Sequence, residues 1–272
     1  MSYDWISLLT DFGTYDGFVA QCKGSIARIA PAVRWIDVTH EIPAQDVRRG
    51  AAVLSQIVGQ LPPAVHLAVV DPGVGTDRRG VALQTPGGVL VGPDNGLLGW
   101  AADVLGGVRK AVALTNTDYH LGTSNTFHGR DIFSPVAAHT AVGVSLDDLG
   151  DPVDPAELVR LPDPVLSVGS GQLDCEVLTI DHYGNLQTSA SAAALTRAGF
   201  ERGDRLEWAI GDHRLTVLFG RTYGEVPPGD ALAYLDSAAF LSLGVNGANA
   251  AARLGIPPGT PITISGAALG RD

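Results

Sequence analysis

Apolar positions in the first 150 residues follow two alternating rhythms. ISLLTD, VRWIDVTH, AVHLAVVD, GVALQT and GVLVGP are short, nearly continuous apolar runs of the kind that form buried strands. Between them the apolar residues recur every three or four positions, the period of a helix with one buried face. DGFVAQCKGSIARIAP places Phe18, Val19, Cys22, Ile26 and Ile29 on one face, with Asp16 set to cap its N-terminus. DVRRGAAVLSQIVGQL does the same with Val47, Ala51, Leu54, Ile57, Val58 and Leu61. NGLLGWAADVLG and RDIFSPVAAHTAVG predict two further helices, the second running past Pro135. Strands alternating with helices predict an α/β layer structure for the N-terminal domain.

The rhythm changes near residue 150. GDPVDPAELVRLPDPVLSVGSG is rich in Pro, Gly and Asp, the composition of a linker. After it, strand signals dominate: CEVLTID, NLQTSA, RLEWAI, HRLTVLFG, ALAYLD and PITIS, interrupted by one Ala-rich helix, ANAAARLG. This predicts a smaller, mostly β, barrel-like C-terminal domain. The expected division is residues 1–158, a linker at 159–172, and residues 173–272.

Composition narrows the function. The chain has 272 residues, 45% hydrophobic and 17% charged, enough to bury a core. No apolar run reaches the roughly 20 residues that span a bilayer, and MSYDWISLLTDFG lacks a basic leader region. The two cysteines, Cys22 and Cys175, stand far apart and form neither a disulfide framework nor a metal motif, which points to a reducing, cytoplasmic setting. The formal charge of −11, without a basic cluster, argues against nucleic acid as a partner and suits a cationic substrate.

Several familiar motifs fail on context. Asp11-Phe12-Gly13 cannot be the kinase metal motif, because the upstream loops would have to fit in ten residues. There is no Walker loop, no GxGxxG, no HExxH and no GxSxG. What remains is a set of polar groups at expected strand ends and helix starts, where α/β proteins place ligands. They are Asp11 and Asp16 in TDFGTYDG, Asp71, Arg78 and Arg79 in VDPGVGTDRRG, Asp94 and Asn95 in GPDNG, and Asn125, His128, Arg130 and Asp131 in SNTFHGRDIF. Asp181 and Asn185 in IDHYGNLQTS open the second domain. Each has a structural reading as well: Asp16 as a helix cap, Asp94-Asn95-Gly96 as a turn, Arg130–Asp131 as an ion pair, His128 as a backbone-bonded histidine. Asp11, ending a buried strand, needs hydrogen-bond donors, and a pair of ligand hydroxyls would supply them.

Taken in order, LLTDFG, DVTHEIP, VVDPGVGTDRR, VGPDNG, TFHGRDIF and ID-x-x-GN resemble the S-adenosyl-L-methionine (SAM) hydrolase (adenosine-forming) family, also called SAM hydroxide adenosyltransferases. These are hydrolytic relatives of the fluorinase and chlorinase, and the resemblance covers essentially the whole chain. It implies an α/β N-terminal domain with a central mixed sheet, a β-barrel-like C-terminal domain, and a homotrimer with each active site between one subunit's first domain and its neighbour's second. It implies SAM as substrate, no cofactor and no metal. Asp71, Arg78 and His128 match the family's water-activating triad, and Asp11 matches the ribose-binding aspartate. Asp16 and Asp181 match carboxylates near the methionine amino group, and Asn185 matches the adenine-side asparagine. Ser237 matches a serine near the methionine carboxylate, and Gly247 a backbone contact to adenine.

The implied reaction is an SN2-type displacement at C5′, in which methionine leaves as a neutral thioether and needs no general acid. Arg78 cannot act as a base but can stabilise charge developing on water. His128 or Asp71 could take the proton, and the residues alone leave that choice open. Arg79 competes with Arg78; family spacing selects Arg78. The halogenases carry an aromatic residue in place of Asp71 and lack the histidine at position 128, so this pattern favours water over halide. Ala238 stands where some relatives place an arginine facing the methionine carboxylate, and Gln45 where the fluorinase shields the sugar with an aromatic ring. The alternatives are a SAM-dependent halogenase and, from another class, a SAM- or adenosine-binding module with little turnover.

Overall fold

The computed structural model describes residues 2–122 and 125–267, which divide into two compact units, Met1–Leu161 and Pro162–Asp272. In the first unit the strands are β1 (Trp5–Thr10), β2 (Arg34–Thr39), β3 (Ala64–Val69), β4 (Gly80–Thr85), β5 (Gly88–Pro93), β6 (Lys110–Ala113) and β7 (Pro152–Val153). The helices are α1 (Phe18–Ile29), α2 (Val47–Val58), α3 (Gly99–Val104), α4 (Ser134–Ala141) and α5 (Leu146–Leu149). Among the described residues the strands form one sheet in the order β2-β1-β3-β5-β4-β6-β7. The first four run parallel, and β4, β6 and β7 add antiparallel pairings. The mixed sheet is therefore as expected.

Strand β3 is buried along its whole length because it lies between parallel neighbours with helices packed over the sheet. Its run AVHLAVV ends at Val70, and the chain emerges at Asp71 beside the end of β1, since Thr10 registers with Val69. The first core gathers Ile6, Leu8, Ile26, Leu67, Val69 and Phe133 on one side of this sheet. Helix α2 is capped by Asp46, whose side chain accepts from Arg49 N–H.

Two expectations for α1 are corrected. Its cap is Gly17, with no side-chain capping bond, and Asp16 lies exposed in the preceding turn. Phe18 is not a core residue: it is 42% exposed and meets Phe12 and Phe127 edge-to-face. The helix expected across RDIFSPVAAHTAVG begins as a π-helical turn, Gly129–Phe133, and continues as α4, where Pro135 sits in the first turn and breaks no bond.

The second unit contains β8 (Leu166–Gly169), β9 (Gln172–Ile180), β10 (Leu186–Ser191), β11 (Arg205–Ile210), β12 (His213–Phe219), β13 (Ala231–Leu235), β14 (Phe240–Val245) and β15 (Pro261–Gly266), with helices α6 (Ala192–Ala198) and α7 (Ala250–Leu254). Strands β10-β14-β13-β12-β11-β15-β9 follow one another, and the pairing of β9 with β10 closes them into a barrel. Trp208, Leu173, Leu186, Leu243 and Ile264 fill its core. Strand β8 pairs with the edge of β9, and Val168 packs on the same core, so part of the stretch expected as linker belongs to this unit.

Candidate active site

Three loops of the first unit meet beyond the strand ends. The loop after β3 carries Asp71 and returns to β4 through Arg78. Arg78 Nε donates to Asp71 Oδ1 at 3.0 Å and Nη2 to Oδ2 at 2.5 Å, a two-point fork that fixes both side chains. The side chains are only 10% and 6% exposed. The guanidinium carbon also lies 5.2 Å from the centre of the Phe133 ring. Arg78 Nη2 is 3.1 Å from His128 Nδ1, at the start of the π-helical turn.

That contact fixes a protonation state. A guanidinium only donates, so Nδ1 must offer its lone pair, and a neutral His128 carries its proton on Nε2. Burial first, and then the positive charge of Arg78, hold the imidazole below its ordinary pKa, against the pull of Asp71 and Asp131. Burial pushes the Asp71 carboxyl up, opposed by the charge and hydrogen bonds of Arg78.

The loops are held together by close packing. A side chain at Gly75, whose φ is +78°, would place its Cβ 2.3 Å from the Asn125 carbonyl oxygen. Phe12 and Phe127 pack edge-to-face at 5.5 Å, joining the loop after β1 to the loop bearing His128. Asp11, at the end of β1, accepts from Gln45 N–H at 2.8 Å, and Gln45 adopts a left-handed φ of 67° to make that bond.

The adjacent arginine has a different task. Arg79 donates from Nε and Nη2 to Asp94 Oδ2, while Asp94 Oδ1 accepts from Val159 N–H. Asn95 donates to the Val70 carbonyl and pins the GPDNG turn to the end of β3. Arg130 forks onto Asp131 at 2.6 and 3.0 Å and reaches Gln21 of α1. These are the structural readings of GPDNG and of Arg130–Asp131.

In the second unit Asp181 Oδ1 accepts from Tyr183 N–H and Asn185 N–H, and Oδ2 accepts from Asn185 Nδ2 at 2.7 Å. Asn185 and Gly247 line one cleft of about 550 Å³, together with Tyr223, Ala248 and Asn249. Ser237 lies exposed in the turn between β13 and β14, where Asp236 accepts from Ala238 N–H and Phe240 N–H. Tyr223 was not singled out in the sequence; RTYGEVPPG carries only turn signals there.

The model of the SAM hydroxide adenosyltransferase N-terminal domain matches residues 6–150, and that of the C-terminal domain matches residues 175–263. The (R)-S-adenosyl-L-methionine hydrolase of Salinispora tropica is 51% identical over 263 residues, 96% of this chain and 97% of the relative. The enzyme of that name from Thermus thermophilus is 40% identical over 95% of this chain and 98% of its own length. A fluorinase from an Actinoplanes species is 29% identical over 96% of this chain and 97% of its own. An uncharacterized conserved protein from Thermotoga maritima, known from its crystal structure, is similar with a TM-score of 0.88 at 33% identity, covering 95% of this chain and 99% of that one.

Proposed function

The chain belongs to the SAM hydroxide adenosyltransferase family, and from that premise we propose that it hydrolyses S-adenosyl-L-methionine to adenosine and L-methionine, water attacking C5′ in line with the C–S bond. The relatives are named for the (R) epimer, and the same epimer is the substrate in this reading. The observation that carries it is the buried array of Asp71, Arg78 and His128. The C–O bond forms as the C–S bond breaks, the sulfonium becomes a neutral thioether, and one proton leaves the water.

Arg78 stabilises the negative charge that grows on the water oxygen. His128, with Nδ1 filled by Arg78, orients the water by donating from Nε2. Asp71 takes the proton, its basicity raised by burial. A halide in the same place would be repelled by Asp71. Asp11 receives the ribose hydroxyls on the side not taken by Gln45 N–H. Asp16 and Asp181 face the methionine amino group, Ser237 its carboxylate, and Asn185 and Gly247 the adenine. No cofactor or metal takes part. The protein works in the cytoplasm, which its two free cysteines support, and as a homotrimer with sites shared between neighbouring subunits, which family resemblance supports; light scattering should give three times the 28.2 kDa chain mass.

The test is incubation of the purified protein with SAM in chelator, with and without high chloride, resolved by chromatography. Adenosine and methionine should appear in equal amounts under all conditions and disappear in His128→Ala. A halogenated nucleoside, or tight SAM binding without product, would overturn the reading.

A further inference from the structure

The cleft of the second unit contains a hydrogen-bond chain that the reaction above does not use. Tyr223 Oη lies 2.9 Å from Asn185 Oδ1 and 2.7 Å from Tyr234 Oη. One phenol has one proton, so the direction of each bond can be assigned from its partners. Asp181 is acceptor-only when ionised, so the atom of Asn185 facing Asp181 Oδ2 at 2.7 Å is the amide nitrogen. The oxygen therefore faces Tyr223, which must donate to it. Having spent its proton, Tyr223 accepts from Tyr234. Burial raises both phenols above their ordinary pKa, so both protons stay in place at neutral pH.

Both flanks of the Asn185 carboxamide are thus occupied: one N–H by Asp181, one oxygen lone pair by Tyr223. One N–H and one lone pair of the carboxamide remain for a ligand. Asn185 itself is buried yet lines the cleft. The arrangement has been given room in the barrel: a side chain at Gly244, beside Asn185 on β14, would place its Cβ 2.6 Å from Asn185 Oδ1 and 2.9 Å from Tyr223 Oη. Any larger residue there would break the clamp.

A neighbouring acceptor and donor on a fixed amide match the 6-amino group and N7 of adenine, the pairing by which asparagine reads that base in nucleic acids. A 6-oxopurine offers two acceptors on this edge. It would set its O6 against Oδ1, and turning the amide would only exchange that clash for Oδ1 against N7 while aiming Oδ1 at the Asp181 carboxylate. We infer that Tyr223, held by Tyr234, is a specificity-determining positioning residue that locks Asn185 in the orientation accepting 6-aminopurines and rejecting 6-oxopurines. The inference rests on the reading that the adenine of SAM meets Asn185.

Binding and turnover test it separately, on the full-length protein. Calorimetry with adenosine and inosine should show wild type preferring adenosine by about tenfold or more. Tyr223→Phe should lose part of that preference, mainly by weaker adenosine binding, because Asp181 still holds the amide nitrogen, and Tyr234→Phe should lose less of it. With SAM and its deaminated 6-oxo analogue, Tyr223→Phe should raise KM for SAM more than it lowers kcat, and narrow the ratio of kcat/KM between the two. Equal loss for both nucleosides, or an unchanged preference in Tyr223→Phe with an unchanged melting temperature, would reduce Tyr223 to packing and overturn the inference. So would a wild type indifferent to the 6-substituent. If SAM is not hydrolysed but the adenosine preference exists and depends on Tyr223, the clamp stands and the hydrolase reading falls.

Discussion

Arg78 and Arg79 are chemically identical neighbours with opposite assignments. Arg78 forks onto Asp71 beside His128, and Arg79 forks onto Asp94. Arg78→Ala is expected to reduce kcat by about a hundredfold or more, the usual loss of a transition-state charge partner, with a smaller change in KM. Arg79→Ala should leave kcat within a few-fold of wild type. It strips the partner from a nearly buried carboxylate, although Val159 N–H still serves one oxygen, and should cost about 2 kcal/mol of stability. Steady-state kinetics and denaturant unfolding of both variants would separate the roles, and the opposite pattern would exchange them. The protonation of His128 has its own signature. Protonating Nδ1 would put a second donor against Arg78 Nη2, so activity should fall on the acid side with a limb centred below pH 6.5 and should be level from pH 7 to 8. His128→Gln, whose amide nitrogen can approximate the Nε2 donor, should retain more activity than His128→Ala. Equal loss in the two variants would point to His128 as the base instead of Asp71, and a limb above pH 6.5 would contradict the lowered pKa of His128.

Elements bring these residues within reach, and the parallel order of β1 and β3 does most of it. Neighbouring parallel strands end on the same side of the sheet, so Asp11 and Asp71 emerge together. The His128 loop arrives from a distant part of the chain and is seated by packing against Gly75 and Phe12. Gly75→Ala should therefore lose activity out of proportion to its size: it must hold a left-handed φ and displace the Asn125 carbonyl. A drop of about tenfold or more in kcat/KM, with the secondary structure retained by circular dichroism, is expected. The central strands were legible in the sequence because burial on both faces leaves an unbroken apolar run, as in AVHLAVV. Strand β14, with its FLSLGV, was not, since its Ser and Gly dilute the signal and are needed where Ser242 bonds Asp236 and Gly244 makes room for Asn185. The start of α1 was misplaced because Asp16 has the chemistry of a cap without the geometry of one. In the candidate site, carboxylates at strand ends could be read directly. Which arginine meets which carboxylate, and that Tyr223 meets Asn185 across 38 positions, depend on pairings between segments that no local pattern encodes.

At the scale of the whole molecule, stability against acid turns on a group with no part in the reaction. His66 sits in the middle of β3, 1% exposed, with Nδ1 2.8 Å from Ser7 Oγ and Nε2 buried without a hydrogen-bond partner. Protonation would put a charge into the sheet core, so burial lowers its pKa to about 4 from the ordinary 6.5. Between those values the unfolded chain binds a proton that the folded chain refuses. Stability therefore rises with pH through this window and is level above it. One such group removes about 2 kcal/mol on going from pH 7 to pH 5. His120, His128 and His139, also lowered by burial, act with the same sign. Asp71, raised by burial, acts with the opposite sign only in the carboxylate range. His66→Leu, though it leaves the Ser7 hydroxyl without its partner and lowers stability at pH 7, should flatten the dependence. The stability difference between pH 7 and pH 5, from urea unfolding at each, should shrink by about 2 kcal/mol relative to wild type. An unchanged difference would place the acid sensitivity in His120, His128 and His139, and to the extent that it lay in His128, acid inactivation and acid unfolding would share one cause, where the present geometry separates them.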